Sequence, residues 1–248
     1  MRLISWNVNR RVARLAEQAH AVAERQPDVL ALQEITQRSW PLWRAALETI
    51  GLSALCSGPV SNHRTGVLIA ARDIEPAESL AVPWPETTLA ARVGDIVVHT
   101  AHVPNAANGW VKPDTLAALR AGLAKAEGPR VLCGDLNTPR REQPDGTVIS
   151  FARDRYGRLR EERGTRWDDA ELGVVPGLRD LGFTDAFAAD RQRTWVYRRW
   201  SGGYRLDHVF ASAELEPVAA TYRHAWRDGG LSDHSALEVE LRRRRPRG

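Results

Sequence analysis

Arg205-Leu206-Asp207-His208 and Gly230-Leu231-Ser232-Asp233-His234-Ser235 each run straight into an apolar segment, Val209-Phe210-Ala211 after the first and Ala236-Leu237-Glu238-Val239-Glu240-Leu241 after the second. That pattern sets both Asp-His pairs where a loop meets a buried strand, the place where a rigid scaffold presents catalytic groups. A histidine beside one aspartate, with a second aspartate free to orient its ring, is the smallest device for moving a proton near neutral pH. An Asp-His dipeptide alone is commonly a surface loop, so the weight rests on what other segments bring to the same place.

Working outward from the C-terminal pairs, the same arrangement recurs upstream. Residues 3–8 read as a strand followed by Asn7 and Asn9, and residues 28–35 as a buried strand carrying Glu34 at its end. A hairpin of residues 88–92 and 95–101 runs into His102-Val103-Pro104-Asn105, and residues 130–137 repeat the buried strand with Asp135 and Asn137. Between these lie segments of helical spacing: Val12 to Ala23, Trp40 to Ile50 stopping at Gly51, and residues 115–126. Helices alternating with strands on short links predict a layered α/β domain.

In each polar block, groups that are expensive to bury unpaired follow an apolar run through the core. Converging on one rim they form a single pocket, with Asp233-His234 as a sixth contribution. Oxygen ligands from Glu34, Asn7, Asn9 and Asp233, completed by water, suit a hard octahedral cation such as Mg²⁺ or Mn²⁺ rather than zinc. Asn9 offers an amide oxygen, one charge fewer than a carboxylate.

Composition narrows the partners. The chain has 248 residues with 43% apolar content, enough for a sizeable core in one domain. No apolar run reaches membrane-spanning length, and the sequence enters a strand directly, so an unexported, cytoplasmic, monomeric protein is expected. Cys56 and Cys133 cannot build a disulfide framework and read as small buried residues. The net charge of +4 belongs to the end of the chain: of 35 basic residues, removing Arg242, Arg243, Arg244, Arg245 and Arg247 leaves 30 against 31 acidic ones. One domain therefore spans residues 1–241, followed by a basic tail at 242–248. Residues 138–167 form an arginine-rich insertion, in which residues 147–151 and a Tyr156-Gly157 turn predict a projecting hairpin. His20, His63, His99 and His224 lie in no motif and read as structural, and His208 should face away from Asp207 across its strand.

Six blocks then carry a resemblance: Ser5-Trp6-Asn7, Leu32-Gln33-Glu34, His102-Val103-Pro104-Asn105, Gly134-Asp135-Leu136-Asn137, Arg205-Leu206-Asp207 and Ser232-Asp233-His234. In this order, over nearly the whole chain, the sequence resembles the endonuclease/exonuclease/phosphatase superfamily, including its exonuclease III-like abasic-site nucleases. The resemblance implies a four-layer α/β/β/α sandwich, the DNase I-like fold, with a metal-dependent phosphoester-hydrolysing site at one end. It implies Glu34 as the principal metal ligand with Asn7 beside it, and Asp135 and Asn137 positioning the attacking water and the phosphate. Asp207 would orient His234, which acts as a base or, protonated, stabilises phosphate oxygens; whether Asp135 or His234 takes the proton stays open. His102 stands where the abasic-site branch has tyrosine, and other branches imply a leaving-group acid or phosphate ligand there. Tyr204 stands where an aromatic residue lines the sugar pocket.

Arg193, Trp195, Tyr197, Arg198, Arg199, Trp200 and Tyr204 mix cations with rings, as nucleic-acid surfaces do, although Trp195 and Tyr197 serve a core equally well. Asn105, Lys112, Arg205 and Tyr204 are the expected substrate contacts. The expectation is a Mg²⁺- or Mn²⁺-dependent phosphodiester hydrolase acting on DNA by direct attack of water. A phosphatase or phosphodiesterase of a small or lipid-like ester is the alternative, and a non-catalytic nucleic-acid-binding relative is the third reading.

Overall fold

Strands buried on both faces need apolar residues at consecutive positions, and the chain supplies them in pairs that point to opposite sides. In β1 (Arg2–Asn7), Leu3 faces inward and Ile4 and Trp6 outward; in β2 (Val29–Ile35), Val29 and Ala31 face inward and Leu30 and Leu32 outward. The computed structural model describes residues 1–58, 64–143, 145–197 and 201–244. Helices α1 (Leu15–Arg25) and α2 (Trp40–Glu48) cover the outward residues with Leu15, Val22, Trp43 and Leu47. Strands β3 (Ser53–Cys56), β4 (Gly66–Ala71) and β5 (Glu75–Ala77) follow, then the hairpin β6 (Thr88–Val93) and β7 (Ile96–His102).

Helix α3 (Val111–Lys125) leads into β8 (Arg130–Asp135), and the two-residue strands β9 (Arg141–Glu142) and β10 (Val148–Ile149) precede α4 (Gly164–Val174). The chain closes with β11 (Thr184–Asp185), β12 (Trp195–Val196), β13 (Gly203–Tyr204), β14 (Asp207–Ala211), β15 (Leu215–Arg223), α5 (His224–Asp228) and β16 (Ala236–Arg243). Two six-stranded sheets result, ordered β15-β16-β1-β2-β4-β3 and β11-β14-β8-β7-β6-β5. Leu3, Ile69, Leu237, Val98, Val131 and Val209 from the two sheets meet in one cluster, while Leu116, Leu119, Leu123 and Val174 of α3 and α4 cover Leu132 and Phe210 on the far face of the second. The order is helix, sheet, sheet, helix, as the six blocks imply. No helix among the described residues is long and apolar enough to cross a membrane.

Topology explains why the polar blocks share a rim. β1 with β2, and β7 with β8, run parallel, so Asn7, Glu34, His102 and Asp135 arrive together at their C-terminal ends. β16 and β14 run antiparallel to β1 and β8, so they bring residues at their beginnings to the same rim. Asp207 therefore starts β14, directly opposite Asp135 in register. The close approach of β8 to β7 depends on Gly134, whose φ is +133° and whose missing Cβ would stand 2.0 Å from the Ala101 carbonyl oxygen.

Two sequence-based boundaries are corrected. The expected Tyr156-Gly157 turn lies between the bridged residues Arg153 and Leu159 with Tyr156 exposed, but the segment leading into it does not project: Ser150 and Ala152 are buried, the Ser150 hydroxyl donates to Asp168 at 2.6 Å, and the Phe151 amide donates to buried Glu171 at 2.9 Å. Hydrogen bonds to the buried carboxylates of Asp168 and Glu171 hold this segment down despite its arginine neighbours. Arg242 and Arg243, assigned to the tail, are the last residues of β16, paired with Glu216 and Asp95 at 2.9 Å each. His63, Arg198, Arg199, Trp200 and residues 245–248 lie outside the described residues. Gly134→Ala is expected to destabilise the protein by about 3 kcal/mol, because backbone must move to admit the methyl group; equilibrium urea unfolding measures it, and a loss under about 0.5 kcal/mol contradicts the close approach.

Candidate active site

The site begins at the buried bond between His234 and Asp207, Nδ1 to Oδ2 at 2.8 Å. Both residues are at most 5% exposed, so each must be held by neighbours. The Trp6 indole N–H donates to the His234 carbonyl at 3.0 Å, the Ser232 hydroxyl accepts from the His234 amide at 3.2 Å and donates to the Asn7 carbonyl at 2.6 Å, and the Gln18 amide donates to the carbonyls of Val8 and Leu231. On the other side the Thr194 hydroxyl accepts from the amides of Leu206 and Asp207 at 2.9 and 3.2 Å. Trp6 and Ser232 thus strap the histidine loop to the end of β1.

From His234 the polar chain crosses the cavity. Its Nε2 lies 3.7 Å from Asp135 Oδ2, the same oxygen that accepts from Asn7 Nδ2 at 2.9 Å. Asn7 Nδ2 also donates to Glu34 Oε1 at 3.2 Å, and His102 Nε2 stands 3.7 Å from that Glu34 oxygen and 3.9 Å from Asp135 Oδ2. Asn137 anchors the other side of Asp135, its amide donating to Oδ1 at 2.9 Å while its side chain donates to the Val103 carbonyl at 2.8 Å. Backbone strain concentrates here: Asn9, Arg10, Glu34 and Asn137 all have φ between 50° and 64°, a region unfavourable for residues with a Cβ. At Glu34 the pairing of β2 with β4 shifts register between Gln33 and Ile35, and the bulge turns the carboxylate out of the strand toward the cavity.

Electrostatics separates the groups. Burial alone pushes the His234 ring toward neutrality, but Asp207 and Asp135 outweigh it and raise its pKa to about 10, so the ring is an imidazolium at neutral pH. Burial raises Asp135 to about 6, with Asp207 adding to the rise and His234 and His102 opposing it. Glu34 feels burial in the same direction, yet His102, the Asn7 hydrogen bond and Arg10 together hold it below the ordinary carboxylate value. Two neighbouring groups with pKa values driven apart mark an acid and a base.

These residues open into a cavity of about 660 Å³. One wall is aromatic: Trp195 and Tyr204 are parallel with centroids 5.9 Å apart, Phe151 meets Tyr204 edge-on at 5.1 Å, and Leu206 completes it. The Tyr204 and Tyr197 hydroxyls bond at 2.8 Å, and the Trp195 indole donates to Asp233 Oδ2 at 3.2 Å. Asn105 also lines the cavity, its side-chain oxygen accepting from the Ala107 amide at 3.0 Å.

Four expectations change. Lys112 is fully buried, with Nζ 2.9 Å from Glu171 and 4.3 Å from the Phe151 ring centre, so its charge supports the aromatic wall and is spent before a phosphate arrives. Arg205 is also buried, bonded by both forks to Asp185 and Glu142, and ties the insertion to β11 and β14. Asn7 points its N–H groups at the carboxylates and its oxygen at the Asn9 amide, 2.9 Å away. It therefore organises the acids, and its oxygen already accepts one hydrogen bond. Asn9 contributes that backbone amide and is not among the residues lining the cavity. His208, as expected, faces away, its Nε2 2.7 Å from the Thr138 carbonyl oxygen. Sequence reasoning passed over Phe151 and Arg10 as cavity residues; Phe151 ends a predicted strand, and the only signal for Arg10 was its place after Asn9.

The remaining donors suit a hard divalent cation. Glu34 and Asp233 both line the cavity, and Asp233 Oδ1 is buried with no hydrogen-bond partner among the described residues, an oxygen that a cation would satisfy. Asp135, Asp207 and His234 also bring ligand atoms within 4.8 Å of one another, but the hydrogen bond between His234 and Asp207 makes that trio a proton-handling set.

The chain matches the model of the Endonuclease/Exonuclease/phosphatase family over residues 4–234. It is 28% identical to the DNA repair nuclease APEX1 of Danio rerio, over 88% of this chain and 74% of that protein. Among solved structures it is similar to an AP endonuclease from Archaeoglobus fulgidus, with a TM-score of 0.73, 23% identity, and 97% of this chain and 99% of that one covered. It is likewise similar to the 3' phosphatase NExo from Neisseria bound to product DNA hairpin, with a TM-score of 0.71, 24% identity, and coverage of 98% and 99%. With the sandwich, the rim of six blocks and a family match across nearly its whole length, the chain belongs to the endonuclease/exonuclease/phosphatase family of phosphoester hydrolases.

Proposed function

We propose that this protein is a Mg²⁺- or Mn²⁺-dependent phosphodiester hydrolase acting on DNA by direct attack of water, with no covalent enzyme intermediate. The observation that carries the reading is the juxtaposition of the His234 imidazolium with the Asp135 carboxylate, Nε2 to Oδ2 at 3.7 Å, at the floor of a cavity with an aromatic wall. A ring that keeps its proton up to about pH 10 is a poor base at neutral pH. Asp135, raised to about 6, is the group matched to taking a proton from water. His234 then donates Nε2–H to phosphate oxygens as their charge grows, held in that state by Asp207.

Asn7 keeps Asp135 and Glu34 in place, and Asn137, its side chain anchored to the Val103 carbonyl, lines the cavity beside Asp135. His102, facing Glu34 and Asp135, is placed to meet the leaving group or a phosphate oxygen. Glu34 and Asp233 would hold a divalent cation, which would supply Lewis-acid neutralisation of charge on the phosphate. Tyr204, Trp195, Phe151 and Leu206 give the cavity a flat apolar side suited to a sugar or base, which favours a nucleic-acid substrate. The APEX1 and NExo names add to that support. The near-neutral body outside the tail favours the second reading, hydrolysis of a small or lipid-like phosphate ester.

Incubating the protein with plasmid, single-stranded and abasic-site DNA, RNA and small phosphate esters, in Mg²⁺, Mn²⁺ or EDTA, separates these readings. DNA cleavage abolished by EDTA is expected; turnover of small esters with no cleavage of any DNA rules out the proposal. Asp207→Asn and His234→Ala should each lower kcat by about 10²- to 10⁴-fold at a temperature where circular dichroism shows the variant still folded, although each unfolds at a lower temperature than wild type because a buried charged pair is broken. Asp207→Asn should in addition move the alkaline limb of the pH–rate profile downward, because the charge that keeps His234 protonated is gone. A near-normal rate in either variant, or an unmoved limb in the first, contradicts the role assignment.

A further inference from the structure

Arg10 has no part in the core, and so far only its charge beside Glu34 has been used, yet its backbone is strained to place it. Asn9 and Arg10 are consecutive residues without glycine's freedom, both at φ 51°, a conformation that persists only where surrounding contacts over-determine it. Its effect is to carry the Arg10 side chain to the cavity wall, with Nε 3.2 Å from Glu34 Oε2. The other Glu34 oxygen is already taken by Asn7. Oε2 is thus contested ground: the oxygen that pairs with Arg10 belongs to the carboxylate expected to bind the cation.

Arg10 also differs from the other cations at the cavity. Lys112 is buried on Glu171, and Arg64 pairs with Glu86 and covers the Trp84 ring. The Arg10 side chain is 48% exposed, and only its Nε has a hydrogen-bond or ion-pair partner among the described residues. Its two terminal nitrogens form a planar fork of donors at the mouth of the site, the geometry that matches a phosphate.

We propose that Arg10 is a phosphate-binding residue held in reserve on Glu34: a divalent cation displaces it from Oε2, and the released guanidinium takes a phosphate oxygen of the DNA strand. The exchange makes one carboxylate serve two cations in turn, and it couples metal loading to substrate capture. The phosphate half of this inference rests on the proposed DNA substrate; the competition at Glu34 does not.

The test pairs two binding measurements on wild type, Arg10→Ala and Arg10→Lys. Calorimetric titration with Mn²⁺ in the absence of DNA should give a metal affinity about two- to fivefold tighter in Arg10→Ala, because an exposed ion pair competing for Glu34 is removed. Fluorescence anisotropy with labelled DNA in Ca²⁺ should show the same variant binding roughly tenfold more weakly, with the slope of log affinity against log salt reduced by about one. Arg10→Lys should keep the salt slope. A merely structural ion pair moves both affinities in one direction or neither, so unchanged or weaker Mn²⁺ binding, or an unchanged slope, overturns the proposal while leaving the DNA reading intact. Failure of the DNA reading looks different, since wild type itself then neither binds nor cleaves DNA, and the phosphate role falls with it.

Discussion

The hydrogen bond from His234 Nδ1 to Asp207 Oδ2 is a charged contact inside the protein, and the surrounding structure can be understood as what such a contact requires. Removing two charges from water costs several kcal/mol per ion unless geometry and further hydrogen bonds compensate. Compensation comes from both sheets: Asp207 is fixed opposite Asp135 by the pairing of β14 with β8, and the His234 loop is strapped to β1 through Trp6, Ser232 and Gln18. The same bond, with Asp135 nearby, fixes the protonation state of the ring. Structure and chemistry therefore depend on one interaction, and a change that loosens either sheet's edge of the rim should be felt at the ring.

Around that bond the fold acts as a device for collecting strand ends. A parallel pair in each sheet delivers Asn7 with Glu34 and His102 with Asp135, and an antiparallel neighbour in each returns Asp207 and His234. Regular strands alone would send successive side chains to opposite faces of the sheet. The departures from regularity, a bulge at Glu34 and left-handed backbone at Asn9, Arg10 and Asn137, re-aim them into the cavity. Strain is concentrated where the chain has chemistry to perform, and the packed core between the sheets holds it there.

Much of this was legible in the residues. Apolar runs ending in Asn7, Glu34, His102, Asp135 and Asp207 announced both the strands and their common rim, because a buried run that stops at an ionisable group must stop at a surface or a site. What was not legible concerned side chains whose role depends on partners distant in sequence. Lys112 and Arg205 look like phosphate ligands until Glu171, Asp185 and Glu142 are found beside them, 59, 20 and 63 residues away. Asn7 reads as a metal ligand from the sequence, and only the structure shows its side chain also donating to Asp135 and Glu34, the first 128 residues away. The insertion reads as a projection because its arginines outnumber its apolar residues, whereas its position is decided by Phe151 and the buried acids of α4.

The central claim is that His234 is an imidazolium in the resting site, leaving Asp135 as the proton acceptor. Nitrogen-15 NMR of the histidine rings, assigned by comparison with His234→Gln, measures this directly. Both His234 ring nitrogens should carry protons at neutral pH, with titration near 10. A ring with one bare nitrogen at neutral pH would return the base to His234 and contradict the account.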